Sequence, residues 1–407
     1  MPLNTFQIKP GFDKQNSEAG AVARWVGGDN VRFRYGLSEK VGGWSALGST
    51  TLNGVSRKLF PFRDNDGNKY LAIGMDKFLL IYFEDNFYDI TPYRTSGYPA
   101  TIDEFALSTF TTVSGSNSVT ITTTSTNRLS VGDIVEFENV SLPGGTGYSN
   151  SDFEDKLYEV KTITSATEFI VQPAGNASGN VGPGGSCSVL PLETVGNQIQ
   201  QLSFGWSTGV WGGSNNWGQA ASTNGVNTPP AIWSLSSYGQ VLVATILNGK
   251  TFTWNPAAGN PLGTRASIDT TGFETTSNPT QSRLTLVSPT TRHLIHLGTE
   301  TTVGTPSTQD NMFVRFSSQE EINNYLITAS NSAGSQRIQD GTKIMGAIKS
   351  KEAILIWTDN ALYIMRHIGA PFVFGFEQVG TNCGLIGQNA VVEVDGVAYW
   401  MSDKGFF

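Results

Sequence analysis

Residues 337–407 read RIQDGTKIMGAIKSKEAILIWTDNALYIMRHIGAPFVFGFEQVGTNCGLIGQNAVVEVDGVAYWMSDKGFF. Within this stretch AILIWTDNALY is an apolar strand, a tight polar turn at Thr358, Asp359 and Asn360, and a second apolar strand. VAYWMSDKGFF repeats the pattern with Ser402, Asp403 and Lys404 at the turn. Asp and Asn suit such turns because they tolerate left-handed backbone angles and bond their own main chain. The turn residues Asp359 and Asp403 lie 44 positions apart. Units of several strands recurring at about 40–50 residues are the mark of a β-propeller. A β-sandwich is the competing reading of the same spacing.

Working outward, the rhythm recurs. KYLAIGMDKFLLIYFEDNFYDI turns at Asp76-Lys77 and again at Glu84 to Asn86, and QVLVATILNGKTFTW turns at Asn248-Gly249. Residues 106–192 break it with short alternating runs, SVTITT, VGDIVEFE, YEVKTI and EFIVQ, and with the Gly-rich stretches at 143–147 and 175–185. That pattern predicts a small antiparallel β-barrel or sandwich inserted into the propeller. The expected layout is N-terminal blades over 1–105, the inserted β-domain over 106–192, and further blades over 193–407. Long amphipathic helices are missing from the pattern. The best helical candidate is a short loop helix over 319–326, QEEINNYL.

The composition agrees with an all-β protein. Charged residues are 15%, aromatics 11%, and Gly numbers 46 of 407 residues. A net charge of -8 argues against gripping nucleic acid, which needs a dense cationic footprint. It is compatible with a surface that a duplex slides past. Two distant cysteines, Cys187 and Cys383, form no metal-ligand spacing and fit free thiols in a reducing cytoplasm. The start of the chain lacks the apolar core of a signal peptide, and no apolar run is long enough to span a membrane.

Catalytic signatures are missing. There is no GxSxG elbow, HExxH, phosphate-binding loop or GxGxxG. His293 and His296 in RHLIHLG, three apart in a strand, point to opposite sheet faces and read as strand histidines. Asp64 and Asp66 in RDNDGN imitate the start of a calcium loop, but position 75 is Met where a bidentate Glu is needed. Neither they nor Glu320-Glu321 form a convergent carboxylate pair. No catalytic, cofactor or metal residue is therefore assigned. Trp206, Trp211 and Trp217, in a Gly/Ser/Asn frame, make either a surface platform for sugars or a packed loop.

Two longer segments carry a family resemblance. WVGGDNVRFRYGLSEKVGGW, residues 25–44, fits a DN-x-R-F-x-x-G-x-x-E-K-x-G-G-W run through Asp29, Asn30, Arg32, Phe33, Gly36, Glu39, Lys40, Gly42, Gly43 and Trp44. The second segment is residues 313–407, with VRFSSQEE, RIQDGTKIMGA, LIWTDNALY, GTNCGLIG and VAYWMSD. It contributes Trp357, Asp359, Asn382, Gly384, Trp400 and Asp403. In both, the chain resembles the tail nozzle proteins of short-tailed bacteriophages, also called tail tubular protein B or packaged-DNA stabilisation protein.

The resemblance implies a non-enzymatic structural protein of the virion tail, assembled in the host cytoplasm. It implies a homo-oligomeric ring, usually a hexamer, docked on a tail adaptor ring. Such a ring supports tail fibres or spikes, retains packaged DNA and passes it during ejection. Acidic loop residues Asp64, Asp66, Glu84 and Asp85 are then candidates for the lumen or a subunit interface. Family members usually continue well past a point such as Phe407, so the chain either continues or closes its propeller in another way. The alternatives are a propeller that binds or cleaves glycans, and a tail hub or fibre-attachment protein.

Overall fold

The computed structural model describes residues 8–43, 45–46, 50–96, 101–199, 229–268 and 278–407. The chain divides into two compact units, Met1–Thr51 and Leu52–Phe407. In the first, Val31–Arg34 and Leu37–Lys40 form a hairpin. Its two turn residues, Tyr35 and Gly36, have φ of 50° and 81°, the left-handed pair that a two-residue hairpin loop requires. Arg32 pairs with Glu39 across the hairpin, and Phe33 meets Phe12 edge-on at 5.3 Å. The expected N-terminal blades over 1–105 therefore resolve into this separate unit and one blade.

The larger unit is a five-bladed β-propeller carrying a curled half-barrel sheet. Blade 1 comprises Ser56–Arg63, Lys69–Met75, Leu79–Phe83 and Asn86–Asp89. Blade 2 comprises Trp233–Tyr238, Val241–Ile246 and Thr251–Trp254. Blade 3 comprises Leu284–Val287, Leu294–Leu297, Phe313–Phe316 and Gly334–Arg337. Blade 4 comprises Ile344–Lys349, Ala353–Thr358, Ala361–Gly369 and Val373–Thr381. Blade 5 comprises Val391–Val394, Val397–Ser402 and Gly405–Phe406. Each blade is an antiparallel meander, and neighbouring blades meet chiefly at their first strands. Blade 5 returns to blade 1 through Asn389, which donates to the Arg57 carbonyl at 3.1 Å and accepts from Lys58 Nζ at 3.0 Å.

Strand alternation decides what fills the seams between blades, because successive side chains point to opposite faces. Trp233 and Leu235 pack toward blade 1 with Phe62, Tyr70, Leu79 and Ile81. Ser234 and Ser236 point the other way, toward blade 3. Leu284, Leu286, Ile295 and Leu297 of blade 3 join Ile354, Ile356 and Met365 of blade 4. Trp357 of blade 4 lies 5.4 Å from Trp400 of blade 5, whose Nε1 donates to the Cys383 carbonyl. Gly384 is dictated by proximity: a Cβ there would fall 2.2 Å from the Asp359 carbonyl oxygen.

The inserted domain is one antiparallel sheet in the order Lys156–Glu159, Ile134–Ser141, Val181–Pro191, Phe105–Thr112, Val119–Thr122, Glu168–Val171, Thr162–Ser165. It curls around Phe110, Phe137, Phe153 and Phe169, all fully buried. Part of the Gly-rich stretch joins it, since Val181–Pro191 is a strand whose first half is half-buried or exposed and irregular in register. The expected loop helix over 319–326 does not form. Ser318 bridges Glu321 instead, and Glu320 adopts φ 62°, which no right-handed helix accommodates.

Candidate functional site

The inserted sheet rises from the propeller on a two-stranded neck. Tyr93 pairs with Leu192, Arg94 N–H donates to the Pro191 carbonyl, and Glu193 N–H donates to the Pro92 carbonyl. The arriving and departing chain therefore leave blade 1 side by side.

Arg265, in the loop after blade 2, clamps this neck. Its Nη1 donates to Asp89 Oδ2 at 2.8 Å and to the Thr91 carbonyl at 3.0 Å. Its Nη2 and Nε donate to Glu136 Oε2 of the inserted sheet at 2.9 and 3.1 Å. The guanidinium also lies over the Tyr93 ring, 5.0 Å from its centroid, and Tyr93 Oη donates to Glu136 at 2.7 Å. Burial disfavours the arginine's charge, but Asp89 and Glu136 outweigh it and hold its pKa above the ordinary value. Burial raises Tyr93, helped by its hydrogen bond to Glu136. Two more ion pairs brace the neck region, Lys77–Glu159 at 3.3 Å and Lys250–Glu193 at 2.9 Å. No sequence signal marks Arg265; it is a lone cation in a polar loop until blade 1, blade 2 and the insertion converge on it.

The acidic residues singled out from the sequence fall in two turns at one end of blade 1. Asp64 accepts from Asn68 N–H at 2.9 Å, Asn68 Nδ2 at 2.8 Å and Tyr70 Oη at 3.2 Å. Those donors hold its pKa low against the opposing effect of burial. Glu84 and Asp85 form a two-residue turn with φ of 47° and 61°, and Tyr82 Oη donates to Asp85 at 2.7 Å. Asp66 shares the turn of Asp64. These are local turn bonds; the four acids do not converge on one point. Trp206, Trp211, Trp217 and Trp44 lie outside the described residues.

Several of the remaining motif residues make local turn contacts. Asp359 caps the turn before blade 4 by accepting from Thr342 N–H at 2.7 Å. Asn382 has φ 56° and accepts from Lys404 Nζ at 3.1 Å, and Ser402 Oγ donates to Asp403 at 2.8 Å. Asp29, Asn30, Gly42 and Gly43 flank or follow the hairpin of the first unit.

The seam between blades 2 and 3 is polar and buried. Ser234 Oγ donates to the Thr285 carbonyl at 2.8 Å, and Thr285 N–H donates back to Ser234 at 3.2 Å. Thr245 and Thr285 hydroxyls meet at 2.7 Å. His296, opposite Thr285 in register, holds the Ser282 hydroxyl on Nδ1 at 2.6 Å and Tyr325 Oη on Nε2 at 2.9 Å. Burial, with Arg315 nearby, pushes His296 down to about 3, so the ring is neutral. Burial, then His367, takes His293 down to about 4. Ser282 is only 1% exposed, so this Ser–His contact is walled off from solvent. Beside it a cavity of about 140 Å³ is bordered by Lys250, Thr280, His296 and Tyr325.

Among the described residues no group of three or more His, Cys, Asp or Glu is placed to hold a metal ion, and no helix is long and apolar enough to cross a membrane. Cys187 and Cys383 are both free and buried.

Fold and geometry thus define the class: an all-β propeller protein with a half-barrel clamped between its first two blades. No protein-family model and no curated protein sequence matches the chain. Among solved structures it is similar to the "Phage phi92 endosialidase" at 14% identity and a TM-score of 0.25, covering 82% of this chain and 50% of that chain. The chain thus spans about half the length of that structure. A likeness so low in TM-score assigns neither activity nor substrate.

Proposed function

We propose that the chain is a non-enzymatic structural subunit of the tail of a short-tailed bacteriophage, part of a nozzle ring that retains and conducts packaged DNA. The observation that carries this reading is the pair of resembling segments, residues 25–44 and 313–407. On the chain they fall on one hairpin and on the end of blade 3 through blade 5. The inserted sheet, braced at its neck by ion pairs, offers a second surface distinct from the blades for a neighbouring subunit, adaptor ring or fibre. The net charge of -8 suits a channel that passes a duplex without holding it.

Electron microscopy of the purified protein, beside virions, tests the assembly. Rings that match a feature of the tail support the reading, and a monomer absent from the tail overturns it. A duplex-DNA titration at two salt concentrations tests the conduit. Weak binding is expected, whereas tight binding with a steep salt slope indicates a DNA-gripping role instead. Release of oligosaccharides from host polysaccharide, abolished by one carboxylate substitution, would replace the structural reading with a glycosidase.

A further inference from the structure

The first strands of blades 1 to 4 and the turn before blade 5 surround a cavity of about 290 Å³ on the propeller axis. Leu59, Leu235 and Leu286 supply part of its wall, but the polar lining is one-sided in charge. Its ionisable lining residues are two cations, Lys58 and Lys349, and no carboxylate joins them. That is unexpected in a chain whose net charge is -8.

Lys349 Nζ has no ion-pair or hydrogen-bond partner among the described residues, and Lys58 Nζ has only the neutral Asn389 oxygen at 3.0 Å. Both are half-buried, and removal from water lowers both pKa values. An ammonium drawn from water with no counter-charge is a cost that an anion would offset. Neutral donors stand beside them. Ser236 Oγ accepts from Val287 N–H at 3.3 Å, which leaves its own proton without an acceptor among the described residues. The Gln388 amide, also in the lining, is likewise uncommitted. Cations plus unspent donors in a concave, partly apolar setting are the composition of an oxyanion pocket.

We propose that the axial cavity of the propeller binds an oxyanion, a phosphate or carboxylate group of a ligand or partner, between Lys58 and Lys349. The site lies within one chain and does not depend on the tail-ring reading. Ring assembly and anion binding can therefore fail separately.

The test is calorimetric titration of the full chain at low ionic strength with inorganic phosphate and, separately, with citrate, using chloride as the control. Saturable binding of one or both is expected, weakened at least tenfold by Lys349→Met and further by adding Lys58→Met. Phosphate binding without citrate binding assigns a phosphate-bearing ligand; citrate binding without phosphate binding assigns a carboxylate. Should Lys349→Met fail to fold, reductive 13C-methylation of the unmutated protein provides the second measurement. Added anion should then raise the Lys349 titration midpoint seen by NMR. No saturable binding of either probe, binding that survives both substitutions, or a Lys349 midpoint unmoved by either anion overturns the assignment.

Discussion

The seam between blades 1 and 2 and the seam between blades 2 and 3 use the two faces of the same strand in opposite ways. Trp233 and Leu235 fill the first with aromatic and aliphatic volume. Ser234, Ser236 and Thr245 fill the second with hydroxyls that bond the neighbouring blade, beside a small apolar group of Val243, Val287 and Leu294. An apolar seam is held by area removed from water and by close packing, and it tolerates small shifts. A polar seam is buried at tolerable cost because most of its donors and acceptors find partners across it, which favours a single register.

The largest expected effect is at the apolar seam. Trp233 is fully buried, and its Nε1 donates to the Met75 carbonyl at 3.0 Å. Gly74 makes room for it, since a Cβ there would sit 2.7 Å from the Trp233 Cβ. Trp233→Ala should cost about 3–5 kcal/mol in a urea denaturation. A loss under about 1 kcal/mol would mean the blades hold together without this seam.

Next comes the clamp at the neck, the polar extreme of the comparison. Arg265→Met leaves Glu136 and Asp89 without their cation and should cost about 3 kcal/mol. The loss should fall mainly on how the inserted sheet is held, so limited proteolysis is expected to cut near residues 92–94 and 191–193 sooner than within the blades. Uniform digestion would show the neck rigid without Arg265.

The lesson for reading the sequence lies in the same strands. RHLIHLG reads as a strand from its short apolar run, and Leu294–Leu297 is a strand with His296 inside it. The short turns are partly legible: Asn248 and Asp85 take the left-handed angles their residue types suit, Glu84 takes one as well, and Asp359 and Asp403 sit in their turns without a positive φ. What alternation cannot say is which polar face meets water. Within a propeller both faces of a blade are covered by neighbours, so Thr285 and His296 are buried although their pattern reads as half-exposed. The same limit hid the Arg265 clamp and the axial lysines, whose meaning depends on elements far apart in sequence. The helix over 319–326 failed for a related reason. Its Asn323 and Asn324 are buried polar residues, a burial the sequence pattern does not signal, and Asn324 Nδ2 donates to Glu321 at 2.7 Å within a local turn.

Acid should expose the polar seam. His296 is held neutral with its pKa depressed to about 3, below its ordinary 6.5. Between those values the unfolded chain binds the proton and the folded one does not, so stability falls as pH falls. From pH 6.5 to 4.5 this histidine alone should remove about 2 kcal/mol. Depressed carboxylates such as Asp64 and Asp359 withdraw their contribution only at lower pH, below about 3.8. Glu193, raised by burial, acts in the opposite sense, since it gains relative stability on protonation. His296→Gln should flatten the slope in denaturation curves taken across that window, and an unchanged slope would move the acid sensitivity elsewhere.

The smallest expected effect is the most specific to the comparison. Ser234→Ala removes one hydroxyl that both donates to the Thr285 carbonyl and accepts the Thr285 N–H. Its side chain is buried, so water does not readily replace the lost partner. A net hydrogen bond contributes only about 1 kcal/mol, but a buried group left unpaired costs its desolvation as well, so about 1–2 kcal/mol is expected. The loss should add to that of Thr285→Val, because Ser234 bonds only the Thr285 backbone, which that change keeps, while the hydroxyl it removes meets Thr245. A double-mutant cycle measures this directly. Additivity is expected, whereas a coupling of about 0.5 kcal/mol or more would mean that the Ser234–backbone and Thr245–Thr285 bonds act as one unit rather than as separate contacts.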